Sequence, residues 1–420
     1  MSFSGKAQFL MDMVDTSKDM GKGMLSIYQK FDKVRISGYI QPQFQVASEK
    51  GIKSFSGGDF APLVNNRFML RRGRIRFDYI HFAERKGPSV QFVFQFDGTE
   101  RGVVIRDFWG RILENKYSLF AVTTGMFARP FSYELNLSSS DRESPERGRL
   151  SQLLLKTERD LGAMVSFEPR KKDHPLYNLK LDAGIFNGQG LAAIADFDSH
   201  KDVITRLSVK PVALFKNNLV SAGISYLNGG LVRNTRYRYT TQDINGIKMF
   251  VVDSALSNQG KIAPRKYYGG DVQIKFLHSY GFTEVRAEFI KGKQTAQRTN
   301  TETPFLLLTG IEGYYTRKFN GAYFYLLQHI HNSRHQLVIK YDWYDPNTEV
   351  KKTEIGKNNS NLNAADIKYS TWGFGYLNYI NLNLKMVLWY DIVKNEKTSL
   401  AGFLNDIKDN VFTFRLQFRF

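Results

Sequence analysis

The sequence predicts an all-β protein: a transmembrane antiparallel β-barrel of about 16 strands, preceded by a short helical segment. Three observations predict it. Apolar and polar residues alternate in runs of about 9–13 residues, the length a tilted strand needs to cross a bilayer. The links between the runs alternate long and short. The chain ends on FTFRLQFRF, with Phe412, Phe414, Leu416, Phe418 and Phe420 on one face and Thr413, Arg415, Gln417 and Arg419 on the other. A terminal edge strand that apolar would aggregate in water. In a closed barrel the same face meets lipid and no edge remains.

Composition narrows the alternatives. No stretch of the roughly 18 apolar residues that a transmembrane helix needs is present. The mean hydropathy of −0.36 would suit a soluble protein, but half of every barrel strand is polar, so it does not discriminate. There are no cysteines, which excludes disulfides, thiolate metal sites and cysteine nucleophiles and suits an oxidising periplasm. The net charge of +19 admits nucleic acid, anionic lipid or anionic solutes as partners. The basic residues alternate with apolar ones instead of covering one face, which argues against nucleic acid. The opening MSFSGKAQFLMDMV lacks a basic segment followed by a long apolar run and does not read as a signal peptide.

Residues 1–32 form the first unit. Phe9, Leu10, Met13, Val14, Met20, Met24, Leu25, Tyr28 and Phe31 recur at helical spacing, weakened by Gly21 and Gly23. The reading is an amphipathic segment that packs on a barrel mouth, docks in the periplasm or plugs the pore. Residues 33–420 form the barrel. Strands are expected at 34–46, 68–82, 89–97, 103–113, 117–127, 160–169, 177–187, 201–210, 218–228, 266–278, 281–292, 319–331, 334–345, 365–378, 382–394 and 410–420. In VRISGYIQPQFQV, Val34, Ile36, Ile40, Phe44 and Val46 alternate with polar residues; in RRGRIRFDY, Ile75, Phe77 and Tyr79 oppose Arg72, Arg74, Arg76 and Asp78. After each odd-numbered strand comes the longer link, with 98–102 the one brief member, and after each even-numbered strand a short turn. Outer-membrane barrels segregate lengths this way, with short periplasmic turns and long outer loops, and an even strand count puts both termini in the periplasm.

In ISGYIQPQFQ, RFMLRRGRIRF, GMFARPF, YYGGDVQIKF, FNGAYFYLLQHI, YDWYDPNTE and FRLQFRF, taken in that order, the chain resembles the phosphate-selective porin O/P family in its Bacteroidetes form. The resemblance covers about residues 33–420. It implies a 16-stranded, anion-passing homotrimer in the outer membrane whose third loop, around 128–159, folds into the lumen.

Candidate site residues follow from the pleat. Thirteen basic side chains, Arg35 among them, and nine acidic ones are expected to face inward, and most can neutralise one another across strands. Arg72, Arg74 and Arg76 stand out, three like charges about 7 Å apart on one face with Asp78 alone to offset them on that strand. With Arg35 they read as anion-guiding residues, a ladder of weak sites. With an inward third loop, Arg142, Arg147 and Arg149 would lie at a constriction together with Asp141, Glu143 and Glu146. That mixed set departs from a strongly cationic phosphate trap and favours a general diffusion pore with mild anion preference. Phe418 and Phe420 resemble the signal read by the barrel-assembly machinery.

Other clusters read more plainly. His329, His331 and His335 suit the membrane–water boundary better than a metal site. Asp196, Asp198 and Asp202 lack the glycine and closing glutamate of a calcium loop. No catalytic constellation, phosphate-binding loop or cofactor motif appears, so no enzyme and no cofactor are expected. The expected function is passive diffusion of small hydrophilic solutes, with anion or phosphate preference. The alternative is a structural barrel with a blocked lumen that partners a larger outer-membrane complex. Expected partners are the lipid bilayer with its lipopolysaccharide, small anionic or polar solutes, and further copies of the chain.

Overall fold

A computed structural model describes residues 34–83, 87–191, 193, 195–308, 310–330 and 334–420. The helical segment expected within 1–32 lies outside them. Strand β1 (Val34–Ala47) pairs with β2 (Asn66–Ala83) on one side and with β18 (Val411–Arg419) on the other, so the sheet closes on itself. Around the wall follow β3 (Gly87–Thr99), β4 (Gly102–Leu113), β5 (Phe120–Ala128), β6 (Arg159–Phe167), β7 (Leu179–Phe186), β8 (Asp202–Ala213) and β9 (Asn218–Val232). After β10 (Arg238–Ile244) and β11 (Ile247–Asp253) come β12 (Ile262–His278), β13 (Gly281–Ala296), β14 (Tyr314–Ile330), β15 (His335–Asp345), β16 (Tyr369–Tyr379) and β17 (Leu384–Asn395). Wall neighbours are antiparallel, and β9 pairs directly with β12.

Strands β10 and β11 stand outside the wall as a hairpin in the long loop between β9 and β12, leaving a closed barrel of 16 strands. All the strands expected from the alternation are present and in order, displaced by a few residues at their ends. The hairpin was not expected from the sequence, although its signal is there. Asn245 and Gly246 both have positive φ, at 53° and 79°. That is the Asn-Gly turn whose twist matches a two-residue hairpin. Phe250 of the hairpin then packs with Tyr315, Ile355, Leu362 and Ile367 into an apolar cap at the long-loop end.

The wall is two-faced, as the pleat requires. Ile36, Ile75, Phe94, Ile224, Phe289, Phe324 and Phe374 face outward and are exposed, while Gln43, Arg74, Gln95, Asp271, Glu288 and Arg415 face inward and are buried. In β18, Phe412 and Phe418 face out and Thr413, Arg415 and Gln417 face in. Four bulges break the parity among the described strands, and two of them re-aim arginines. Between Ile40 and Pro42 of β1 the partner strand advances from Gly73 to Leu70, which brings both Arg71 and Arg72 inward. Between Gln95 and Phe96 of β3 the partner moves from Asp107 to Ile105, and Arg106 turns in beside Asp107. Such bulges re-aim a side chain without shifting the rest of the strand.

The seam is tight at the short-turn end. Gly38 and Phe420 exchange backbone hydrogen bonds of 3.1 and 3.0 Å. A Cβ on Gly38 would lie 2.5 Å from the Phe420 ring and 2.5 Å from the Arg74 carbonyl oxygen. We therefore expect Gly38→Leu, like deletion of Phe420, to lower the yield of heat-modifiable barrel with synthesis unchanged. An overpacked contact of this kind costs about 1–3 kcal/mol. Normal amounts of folded barrel on unboiled gels would rule out the seam contact as a closure element.

Candidate functional site

Pro130 ends the β5 ladder, since proline has no N–H to give. The chain then leaves the wall and crosses the lumen before β6 begins at Arg159. The crossing is built from two short helices, α1 (Tyr133–Asn136) and α2 (Arg149–Leu154). Glu288 on β13 accepts hydrogen bonds from Ser132 Oγ at 2.9 Å and from the backbone N–H groups of Tyr133 and Glu134, satisfying the open start of α1. Glu134 does the same for α2, accepting from Gly148 N–H at 3.0 Å and from Ser151 Oγ. Phe131, Leu135, Leu150 and Leu154 form an apolar underside against Tyr267, Ile290, Phe319 and Tyr344 of the wall.

The loop tip is tied to the far wall by charge. Glu146 receives Arg71 at 2.8 Å, Arg72 at 2.6 Å and Arg415 at 3.0 Å. Burial works against its ionisation, but the three guanidinium groups outweigh that and hold its carboxyl well below the usual range. Glu143 pairs with Arg286 at 2.9 Å. Lys385 donates to the carbonyls of Ser140 and Arg142, and Tyr39 meets Ser139 at 2.6 Å. The first loop takes part as well. Gln152 donates to the Phe55 carbonyl, and Ser56 donates to Asp391.

The arginine row expected on β2 does face the lumen, but it is not the free ladder its spacing suggested. Arg72 meets Glu146, Arg74 meets Asp97 at 2.9 Å, and Arg76 meets Asp78 at 2.6 Å. Asp78 is the offset expected on the same strand, but Asp97 and Glu146 come from a neighbouring strand and the loop, which same-strand spacing cannot reveal. Arg35 is exposed at the short-turn end and register-paired with Asp78. Of the three loop arginines, Arg142 is buried in the crossing and Arg147 and Arg149 are half-buried, so they do not form an open cationic ring. Arg147 binds the carbonyls of Glu134 and Leu135 and the carboxylate of Glu158. Arg149 lies over the rings of Phe55 and Tyr369, at 4.4 and 3.5 Å. Arg142 is buried with none of its guanidinium nitrogens hydrogen-bonded among the described residues, and burial together with the nearby Arg72 lowers its pKa to about 10.

The open part of the lumen is eccentric. A cavity of about 300 Å³ lies between the loop and the wall of β2–β8, lined by Arg76, Arg111, Arg159, Lys180 and Arg206 with Asp107 and Asp182. It shares Arg206 and Ser208 with a second cavity of about 430 Å³, which reaches Lys275 and Glu284. Most of these cations are paired: Arg159 with Asp107, Lys180 with Asp182, Arg206 with Asp271. Arg111 is different. Its Nε donates to Thr123 Oγ at 2.8 Å and its guanidinium lies over Trp109, with no carboxylate in ion-pair range among the described residues. Lys275 likewise lies over the Phe282 ring, at 3.7 Å, and although in register with Glu284 it has no carboxylate in ion-pair range among the described residues. Arg111 was absent from the inward set expected from the sequence. Its alternation with Asp107 and Trp109 could have found it.

Elsewhere the acidic triplet is divided. Asp202 is buried against Arg265, Asp198 accepts from Val232 N–H, and Asp196 meets Lys201. His331 lies outside the described residues. His329 stacks on Phe282 and His335 on Tyr376.

The fold is similar to that of solved outer-membrane proteins. Pseudomonas putida OprB superposes with a TM-score of 0.56 at 10% identity, over 96% of this chain and 97% of that one. The outer membrane channel DcaP of Acinetobacter baumannii gives 0.54 at 13%, over 92% and 97%. Salmonella typhi OmpF in complex with daunomycin gives 0.52 at 9%, over 92% and 97%. At these identities the likeness concerns the fold. No family model matches the chain, and no curated protein matches its sequence.

Glu146→Ala should release the loop tip. Removing one partner of a buried ion pair costs roughly 3–5 kcal/mol, because the remaining charges stay buried. We expect a lower unfolding temperature and a larger, noisier conductance. Because the folded-state pKa of Glu146 is depressed, its contribution is present above its ordinary value of 4.5 and is lost as pH falls through the depressed one. Acid should therefore reproduce the variant's conductance in the wild type, and identical traces for wild type and variant at neutral pH would remove Glu146 from this role.

Proposed function

We propose that the chain is an outer-membrane porin through which small hydrophilic solutes diffuse passively, with a preference for anions. One observation carries the preference: in the two cavities beside the third loop cations outnumber carboxylates, and Arg111 and Lys275 line them with no carboxylate in ion-pair range among the described residues. A free cation on a narrow wall raises the local concentration of anions, and isolated weak sites let them leave again. The same observation argues against strong phosphate selection, which needs several unpaired donors converging on one point. In this reading the long loops face outward, the termini face the periplasm, and the chain assembles as a homotrimer, the form named for one structure of Vibrio cholerae OmpT. Phe418 and Phe420 belong to the same reading as the assembly signal.

A second reading, a structural barrel with a closed lumen, is favoured by the contact of the first loop with the third. Between them, on the long-loop side, only about 30 Å³ of space remains, which is close to the volume of one water molecule.

Planar bilayers separate the two. The porin reading expects stepwise, ohmic conductance, and a silent barrel in repeated insertions would favour the closed one. Arg111→Glu should lower the anion-to-cation permeability ratio by roughly threefold or more, since a unit charge about 4 Å away is worth about 1 kcal/mol even at the dielectric of water. An unchanged reversal potential would dismiss Arg111. The Arg72/Arg74/Arg76→Ala triple variant should chiefly lose folded barrel, because its arginines hold buried carboxylates in place.

A further inference from the structure

The outward face of β12–β14 at the long-loop end carries a cluster of charge, whereas most of the outer wall is apolar. Lys266 on β12 stands directly opposite Lys293 on β13, which stands directly opposite Lys318 on β14. The next row towards the barrel middle is Tyr226, Tyr268, Lys291 and Asn320, again in direct register. All four lysines are exposed, while the alternate residues Tyr267, Ile290 and Arg317 are buried inward. Like charges opposed across strands are destabilising, and neighbouring strands lie only about 4.8 Å apart. Lys318 has Glu349 at 2.7 Å. Lys266, Lys291 and Lys293 have no carboxylate in ion-pair range among the described residues.

Directly below these rows the wall is hollowed. Gly270, Ala287 and Ala322 form a floor of small residues between Ile224, Phe289 and Phe324, leaving an apolar trough of about 520 Å³. The rings of Tyr226 and Tyr268, with centroids 5.1 Å apart, mark the level between charge and trough, as aromatic pairs do at a membrane–water boundary. A basic row above an apolar slot is complementary to a molecule with an anionic head and a hydrocarbon tail.

We infer that this face binds a phosphorylated lipid of the leaflet at the long-loop end, with its phosphate on Lys266, Lys291 and Lys293 and one acyl chain in the trough. The inference rests on the chain spanning a bilayer, as the porin reading does, but uses the outer wall and not the lumen.

The test is native mass spectrometry of the folded full chain in neutral detergent, titrated with bisphosphorylated lipid A, with phosphate-free lipid A and with inorganic phosphate. Wild type should retain the bisphosphorylated lipid in preference to the other two probes. The Lys266/Lys291/Lys293→Gln variant should lose on the order of a hundredfold in affinity, at about 1 kcal/mol per lysine. Gly270→Leu should also weaken binding by filling the trough; a Cβ there meets nothing within 4 Å, so folding is spared. Unboiled gel mobility verifies that each variant is folded. Equal retention by the triple variant, equal retention of phosphate-free lipid A, or full competition by inorganic phosphate would overturn the inference. So would disulfide-linked copies of an Ile224→Cys variant in native membranes, since the face would then be covered by a second copy. Single-channel conductance of the wild type separates the two readings: a conducting wild type that does not retain the bisphosphorylated lipid sinks this inference alone, and lipid binding by a silent wild-type barrel sinks the porin reading alone.

Discussion

Three guanidinium groups, from Arg71, Arg72 and Arg415, converge on the buried carboxylate of Glu146, and the shape of the lumen depends on that junction. The loop that carries Glu146 starts on the β5–β6 side and would otherwise be free to lie anywhere in the barrel. Charge fixes where its tip rests, and Glu143 with Arg286 repeats the device on the neighbouring wall. Buried ion pairs add little net stability against well-packed apolar groups, yet breaking one is costly. They therefore suit a task of position more than one of strength. The apolar underside of the loop supplies packing, and the glutamates at 134 and 288 satisfy its helix ends.

The junction also explains why cation count is a poor guide to what a solute meets. The row on β2 is conspicuous in the sequence because its charges repeat every second residue. In three dimensions those charges face carboxylates from Asp97, Asp78 and Glu146, and two of the three side chains are sealed beneath the loop. The inconspicuous Arg111, near the end of β4 with apolar Ile112 and Leu113 after it in sequence, is left facing open space, as is Lys275. Pairing removes a charge from the solute's view, and pairing is a long-range property.

Much of the fold was legible. Alternation with period two is a local signal, so every wall strand could be read from its own residues, and the segregation of link lengths implied a closed barrel with both chain ends at the same rim. Four features were missed, each for its own reason. The bulges at Arg71–Arg72 and Arg106 change parity by one residue, and an alternating pattern averages over them. Apart from same-strand partners such as Asp78 for Arg76 and Glu284 for Arg286, the acidic partners of the inward arginines come from other strands and from the loops, and no spacing along one strand reports those. The hairpin at 238–253 was legible in its Asn-Gly turn, but a segment bracketed by long loops reads as part of the loop. The outward lysine rows were each visible on one strand. Their alignment into a patch needed the register of three.

The two bulges that re-aim arginines have a consequence for how such a wall can change. In an alternating strand a one-residue insertion ordinarily trades faces for everything beyond it, turning greasy side chains into the water and polar ones into the bilayer. At Arg71 and Arg106 the extra residue is absorbed on the spot, and alternation resumes beyond it shifted by one residue number, with each face kept. Each insertion has the effect of adding one charge to the inside while leaving the outside untouched. A lineage of such barrels could therefore retune its interior by length variation as well as by substitution, and comparisons that align strands without gaps would misassign the facing of every residue past such a point.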